Sequence, residues 1–94
     1  MPRTSHDPES LVKLIGAELS KRAGHQLSVE FAFAAGARIS HLLGHEVLTE
    51  WEVAEFLTNP LDLYQELTPE RISERSKNIA TLAWSRIQDR EEVA

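Results

Sequence analysis

The chain of 94 residues contains no cysteine. That absence excludes disulfide bonds, thiolate nucleophiles and any zinc or iron–sulfur site whose ligands are cysteines. Long apolar runs are missing as well, because no stretch approaches the ~20 apolar residues that a membrane-spanning helix needs. The first ten residues carry no apolar signal-peptide core. We therefore expect a cytoplasmic protein with no membrane partner.

Lysine and arginine are absent from the middle of the chain. Residues 44–70 hold seven acids and no lysine or arginine, whereas the flanking segments each hold five basic and four acidic residues. These seven acids are Glu46, Glu50, Glu52, Glu55, Asp62, Glu66 and Glu70. An acidic middle repels phosphates, so the chain lacks the overall basic footprint of a nucleic-acid-binding protein.

Helix patterns occupy most of the sequence, without strand patterns or internal repeats. Asp7 before Pro8 is typical of a helix N-cap, and Gly24 is typical of a helix stop. Thr49 and Glu52 stand at the spacing of a capping box. The predicted helices span residues 8–23, 29–43, 50–58, 60–67 and 69–89. We expect one all-α domain over residues 1–94, a compact bundle of about five helices with frayed tails at 1–6 and 90–94.

A run of small side chains, AFAAGA, lies in the second predicted helix. Gly36 inside a helix costs roughly 1 kcal/mol relative to alanine, so a close helix contact is expected to offset it. That contact is either central packing within one chain or a homodimer contact at Ala32 and Gly36. Small domains often supplement their core by oligomerisation, and we expect a homo-oligomer.

The stretch HLLGHE places His41 and His45 four residues apart with Glu46 beside them. A metalloprotease helix needs His-Glu-x-x-His, and here the glutamate follows the pair. Gly44 is expected to end the helix, so His45 leaves the helical path. We therefore predict ordinary histidines at a helix end and no metal site.

Patterns of catalytic chemistry are missing. The serines lack a Gly-x-Ser-x-Gly elbow, and no glycine-rich phosphate loop is present. Acids such as Glu50 and Glu52 stand at a helix start, where the helix dipole favours them for structural reasons. We expect no enzymatic activity and no cofactor.

The start of the last predicted helix carries a polar cluster. Arg71 and Arg75 share a face, Asn78 lies one further turn on, and Lys77 lies to the side. This cluster is either a solvated face or a surface for nucleic acid. A third possibility is a small anionic ligand bound at the helix amino terminus.

The stretch LTEWEVAEFL resembles the first helix of a helix-turn-helix in regulators that begin LT-x-x-EVA-x-x-L. The resemblance implies that the following helix, 60–67, enters the DNA major groove. That segment carries Asp62 and Glu66 and no basic residue, whereas a recognition helix donates several hydrogen bonds to DNA. A conventional helix-turn-helix is therefore disfavoured.

Aromatic residues accompany the acids of the middle segment. Tryptophan is enriched where proteins bind one another, so Glu50, Trp51, Glu55 and Asp62 are predicted to bind a partner protein. Alternatively, Trp51 closes the end of the bundle. The leading hypothesis is a small acidic regulator, inhibitor or adaptor. The alternatives are a dimeric DNA-binding regulator and an anion-binding protein.

Overall fold

The computed structural model describes the backbone of residues 7–93 and the side chains of residues 7–90. Within these residues the chain forms four helices, α1 (Pro8–Ser20), α2 (Val29–Leu43), α3 (Glu50–Phe56) and α4 (Pro69–Val93). The predicted all-α class is confirmed, whereas the predicted number of about five helices is too high by one. No helix of the described part is long and apolar enough to cross a membrane.

The local capping signals lie where the helices begin. Asp7 accepts a hydrogen bond from the amide three residues on, at 2.7 Å, and Ser28 does the same at 3.0 Å. The capping box at Thr49 and Glu52 forms in both directions. The predicted tail over 1–6 lies outside the described residues, and α4 extends past its predicted end at 89.

Two helix pairs enclose the core. α1 packs along α4 and α2 packs against α3, while smaller contacts join α1 to α2 and α3 to α4. Every helix contributes fully buried aliphatic side chains to one shared cluster. Its largest members are Leu11, Ile15, Leu19, Leu27, Ile39, Leu48, Val53, Leu57, Leu67 and Ile79. Burying each of them contributes about 1.5–3 kcal/mol before the entropy cost of folding.

The predicted helix over 60–67 is wrong. Tyr64 has a φ of 72°, a left-handed conformation that a bulky side chain adopts at a cost of about 1–2 kcal/mol and that no α-helix contains. Its amide binds the carbonyl of Leu27 at 2.5 Å, and residues 64–67 pair in an antiparallel sense with residues 24–27. Pairing with a distant segment therefore replaces the helical bonds that the local signals favour.

Gly36 lies at the contact between α2 and α3. A Cβ atom there would stand 2.9 Å from the carbonyl oxygen of Glu50 and 3.2 Å from the amide nitrogen of Ala54. Ala32, one turn earlier, is also fully buried. The homodimer contact predicted at Ala32 and Gly36 is thus corrected. Both residues face the interior of a single chain, so they offer no surface to a second copy.

We expect Gly36→Ala to destabilise the protein by about 1–3 kcal/mol in urea unfolding, although alanine is the better helix former. The new methyl group would meet rigid backbone atoms of α3. Gly16→Ala is the matched control, because its Cβ would meet only the Ser76 side chain, whose hydroxyl lies at an ordinary 3.4 Å. It should be neutral or stabilising. Equal effects of the two substitutions would contradict a close α2–α3 approach.

Candidate functional site

α3 turns its tryptophan outward. The capping box begins the helix at Glu50, and the buried Val53 and Leu57 direct one face of it into the core. Trp51 lies on the opposite side and stays 68% exposed. The alternative prediction, that Trp51 closes the end of the bundle, therefore conflicts with its exposure.

Trp51 rests on an aromatic side chain of α2. The rings of Trp51 and Phe33 meet edge to face, with centroids 4.8 Å apart and planes at 81°. Val29 precedes Phe33 by one helical turn on the same side of α2 and is exposed. We call Val29, Phe33 and Trp51 the tryptophan face. Such an aromatic pair contributes about 0.5–1.5 kcal/mol beyond its buried area and holds the indole in one orientation.

Carboxylates border the tryptophan face. Glu55 follows Trp51 by one helical turn and is exposed, and Glu30 is exposed in the first turn of α2. Glu50 is half-buried, and its carbonyl oxygen lies against Gly36. The nearest basic residue along α2, Arg38, stands instead 3.8 Å from Glu18 of α1. The predicted residues Glu50, Trp51 and Glu55 therefore share one region of the surface, with a negative local charge.

Glu52 has a structural role on the other flank of α3. Its carboxylate accepts hydrogen bonds from Arg86 of α4, at 2.5 Å, and from the Thr49 amide. The bond from Arg86, followed by the bond from Thr49, lowers the pKa of Glu52 from 4.5 to about 2. Arg86 also binds the carbonyl oxygen of Val47 at 3.2 Å. This pair ties α3 to α4.

Asp62 belongs to an internal ion cluster. Its carboxylate accepts a hydrogen bond from Arg75 and a second one, at 3.2 Å, from Arg71. Arg71 also donates to the carbonyl oxygen of Glu66, at 3.0 Å, and to the side chain of Gln65, at 2.9 Å. The three residues therefore fasten the 59–66 segment to α4. Asp62 was predicted to bind a partner protein, and Arg71 and Arg75 were predicted to bind nucleic acid or an anion. The structure instead bonds both arginines to Asp62.

Arg75 is only 4% exposed, so phosphate has little access to it. The amide of Arg71 is already bonded to the Thr68 hydroxyl at 3.2 Å, which occupies one donor of the α4 amino terminus. Of the four residues predicted for nucleic acid or an anion, Lys77 and Asn78 alone are exposed. One exposed cation makes a weak phosphate-binding surface.

The two histidines of HLLGHE lie on either side of the predicted helix end. His41 is in the last turn of α2, and His45 comes after the helix. α2 stops at Leu43, and Gly44 has a φ of 101°. His45 turns back, and its Nδ1 lies 2.9 Å from the buried Ser40 hydroxyl, which donates to the carbonyl oxygen of Leu48. Across residues 7–90, no group of three or more histidine, aspartate or glutamate side chains is placed to hold a metal ion.

Several features of the structure were not predicted from the sequence. Leu61 and Tyr64 are 86% and 70% exposed. Phe33 supports Trp51 from a neighbouring helix, and its position inside the small-residue run was the available signal.

Glu18 is buried beside Arg22, at 2.6 Å, and this hydrogen bond is the main cause that lowers its pKa. An acid four residues before an arginine on one helix was the available signal for that pair.

We expect Asp62→Ala to lower the free energy of unfolding by about 3 kcal/mol, because it leaves Arg75 buried without its main counter-charge. Urea unfolding measures the loss, and faster hydrogen exchange of the Tyr64 amide would show that the 59–66 segment has loosened. Glu70→Ala, which removes an exposed acid from the first turn of α4, serves as the control and should cost no more than about 1 kcal/mol. A similarly small effect of Asp62→Ala would contradict the role of the ion cluster.

The Glu52–Arg86 pair should make stability depend on pH. The folded-state pKa of Glu52, about 2, lies below its usual 4.5. The contribution of Glu52 is therefore complete above about pH 5 and is lost as the pH falls toward 2. We expect Glu52→Gln to cost about 2 kcal/mol at pH 7 and much less near pH 2. Denaturant unfolding across this range tests it, with Glu55→Gln as control. A pH-independent difference between wild type and Glu52→Gln would contradict the assignment.

Comparison with known proteins gives no match to a family model, to a curated protein or to a solved structure.

Proposed function

We propose that this protein is a small regulator, inhibitor or adaptor that acts by binding another protein through the tryptophan face, without catalysis. The observation that carries this proposal is Trp51 itself, a large indole that is 68% exposed. A tryptophan in solvent does not contribute the favourable free energy that burial of its apolar surface would give. A partner that covers the ring would recover that gain.

The supported indole has the features of a binding hot spot. The ring of Phe33 packs against the indole at a centroid distance of 4.8 Å, so less side-chain freedom remains to be lost on binding. Hot-spot tryptophans cost about 2–4 kcal/mol of binding free energy when truncated. A single well-placed anchor of this kind is compatible with the modest surface of a small domain.

Charge favours a basic partner surface. Glu30 is exposed next to Val29 and Glu55 is exposed one turn after Trp51, and no lysine or arginine occurs between residues 38 and 71. Opposite charges accelerate association and make it sensitive to salt, because ions screen exposed charges beyond about 10 Å. A basic site on the partner, including one that otherwise receives nucleic acid, has the required complementarity.

We expect Trp51→Ala to weaken partner binding by about thirtyfold or more, equivalent to about 2 kcal/mol. The partner is first isolated on immobilised wild-type protein, then purified and titrated against each variant at low and high salt. Trp51→Ala should retain its fold, since most of the ring is in solvent.

Leu14→Ala supplies the control, because Leu14 is a large exposed residue of α1 outside the tryptophan face. It should bind as the wild type does. Glu55→Gln should weaken binding slightly and reduce its salt dependence. A purified partner that binds Trp51→Ala and wild type equally would overturn the proposal.

A further inference from the structure

We infer that the 59–66 segment is a second contact element, which presents Leu61 and Tyr64 to the same partner, and that this partner offers a cationic amphipathic polypeptide segment. The inference rests on the proposed function and adds both a site and the chemistry of its ligand. It follows from exposure, backbone strain, internal support and charge.

Most of the large exposed apolar side chains belong either to the 59–66 segment or to the tryptophan face. Five large hydrophobic residues remain exposed in the described part of the chain, and Leu61, at 86%, and Tyr64, at 70%, are the most exposed of them. Two others, Val29 and Trp51, belong to the tryptophan face. Only Leu14 stands apart, on α1.

A backbone hydrogen bond joins the segment to the stretch that leads into the tryptophan face. The Tyr64 amide binds the carbonyl oxygen of Leu27 at 2.5 Å, and Leu27 precedes Val29 by two residues. Val29 lies one helical turn from Phe33, whose ring contacts Trp51. The segment and the tryptophan face are therefore joined through residues 27–29, and we expect one ligand segment to reach both.

Tyr64 occupies a position that its own residue type disfavours. At a φ of 72°, glycine or asparagine would fit with less strain. The exposed ring gains little packing in return within the folded chain. A strained residue whose side chain makes few contacts within its own chain is typical of a binding site, where a partner supplies the missing contacts.

The segment is held firmly from its inner side. Asp62 is bonded to Arg71 and Arg75, and the carbonyl oxygen of Tyr64 accepts a hydrogen bond from the Gln26 side chain at 3.2 Å. The Leu61 amide is bonded to the Asn59 side chain at 3.0 Å. These bonds fix the backbone and leave the two apolar side chains outside. Such preorganisation lowers the entropy cost of binding.

The charge of the surroundings selects the ligand. Glu55, Glu66 and Glu70 are exposed around the segment. Arg71, which follows them, is engaged with Asp62. A second copy of this face, a nucleic acid or an anionic membrane would each bring like charge against these acids. A segment with lysine or arginine beside bulky apolar residues complements both the charge and the exposed side chains.

The test uses the full chain, isotopically labelled for NMR, and a synthetic amphipathic peptide of leucine and lysine as the probe. We expect saturable binding that weakens with salt and perturbs amides in residues 26–33 and 51–66. A peptide in which glutamate replaces each lysine should not bind. Failure of the lysine peptide to bind, or equal binding of the glutamate peptide, would overturn the cationic assignment.

Two variants test the segment itself. Tyr64→Asn relieves the backbone strain, so its thermal midpoint should equal or exceed that of the wild type while its affinity for the probe falls about tenfold. Leu61→Ser should lower the affinity to a similar extent without affecting the fold. Leu14→Ser is the matched control and should bind normally. Wild-type affinity in both Tyr64→Asn and Leu61→Ser would overturn the second contact element.

Trp51→Ala separates this inference from the proposed function. If Trp51→Ala weakens probe binding and the segment variants do not, the second contact element is overturned and the tryptophan face stands. If only the segment variants weaken it, the element stands and the tryptophan face loses its support. Sedimentation with and without the peptide should show the same number of protein chains. A peptide-independent dimer that Leu61→Ser disrupts would identify a second copy as the occupant and overturn the inference.

Discussion

The close approach of α2 and α3 at Gly36 is the constraint on which the exposed surface depends. A glycine hydrogen leaves room for the backbone of α3, whereas any Cβ atom would stand within 2.9 Å of the Glu50 carbonyl oxygen. That short separation places Phe33 beneath Trp51 and turns the buried face of α3 toward the core. A larger helix separation would leave the indole without support. Tertiary packing thus offsets the free-energy cost of a glycine inside a helix. The same packing supports the exposed indole of Trp51.

Two ion clusters hold the remaining parts of the acidic middle against α4. Glu52 is bound by Arg86, and Asp62 is bound by Arg71 and Arg75. Each pair joins residues that are distant in the sequence. The acids of the middle segment thus fall into two groups, those paired with an arginine of α4 and those left unpaired. Paired carboxylates position α3 and the 59–66 segment, and unpaired ones give the outer surface its negative potential.

Strain, exposure and internal support occur together in the 59–66 segment. An isolated loop with a left-handed tyrosine would relax, because strain persists only where the surroundings impose it. Here the pairing with residues 24–27 and the Asp62 cluster impose it. The result is a rigid display of Leu61 and Tyr64 to solvent. Rigid apolar anchors surrounded by charge are the arrangement expected of a recognition surface.

Local signals in the sequence determined the helix class, the starts of all four helices and the end of α2 at Gly44. These features depend on caps, proline and apolar spacing within a few residues, so they are readable without a fold. The outward direction of Trp51, the burial of Ala32 and the internal use of Arg71, Arg75 and Asp62 were decided only by tertiary structure. Each depends on a partner nine or more residues away. Residues 60–67 illustrate the difference, since proline and acid favour a helix there. Pairing with residues 24–27 prevents one, because a tertiary hydrogen-bond partner outweighs a small local propensity.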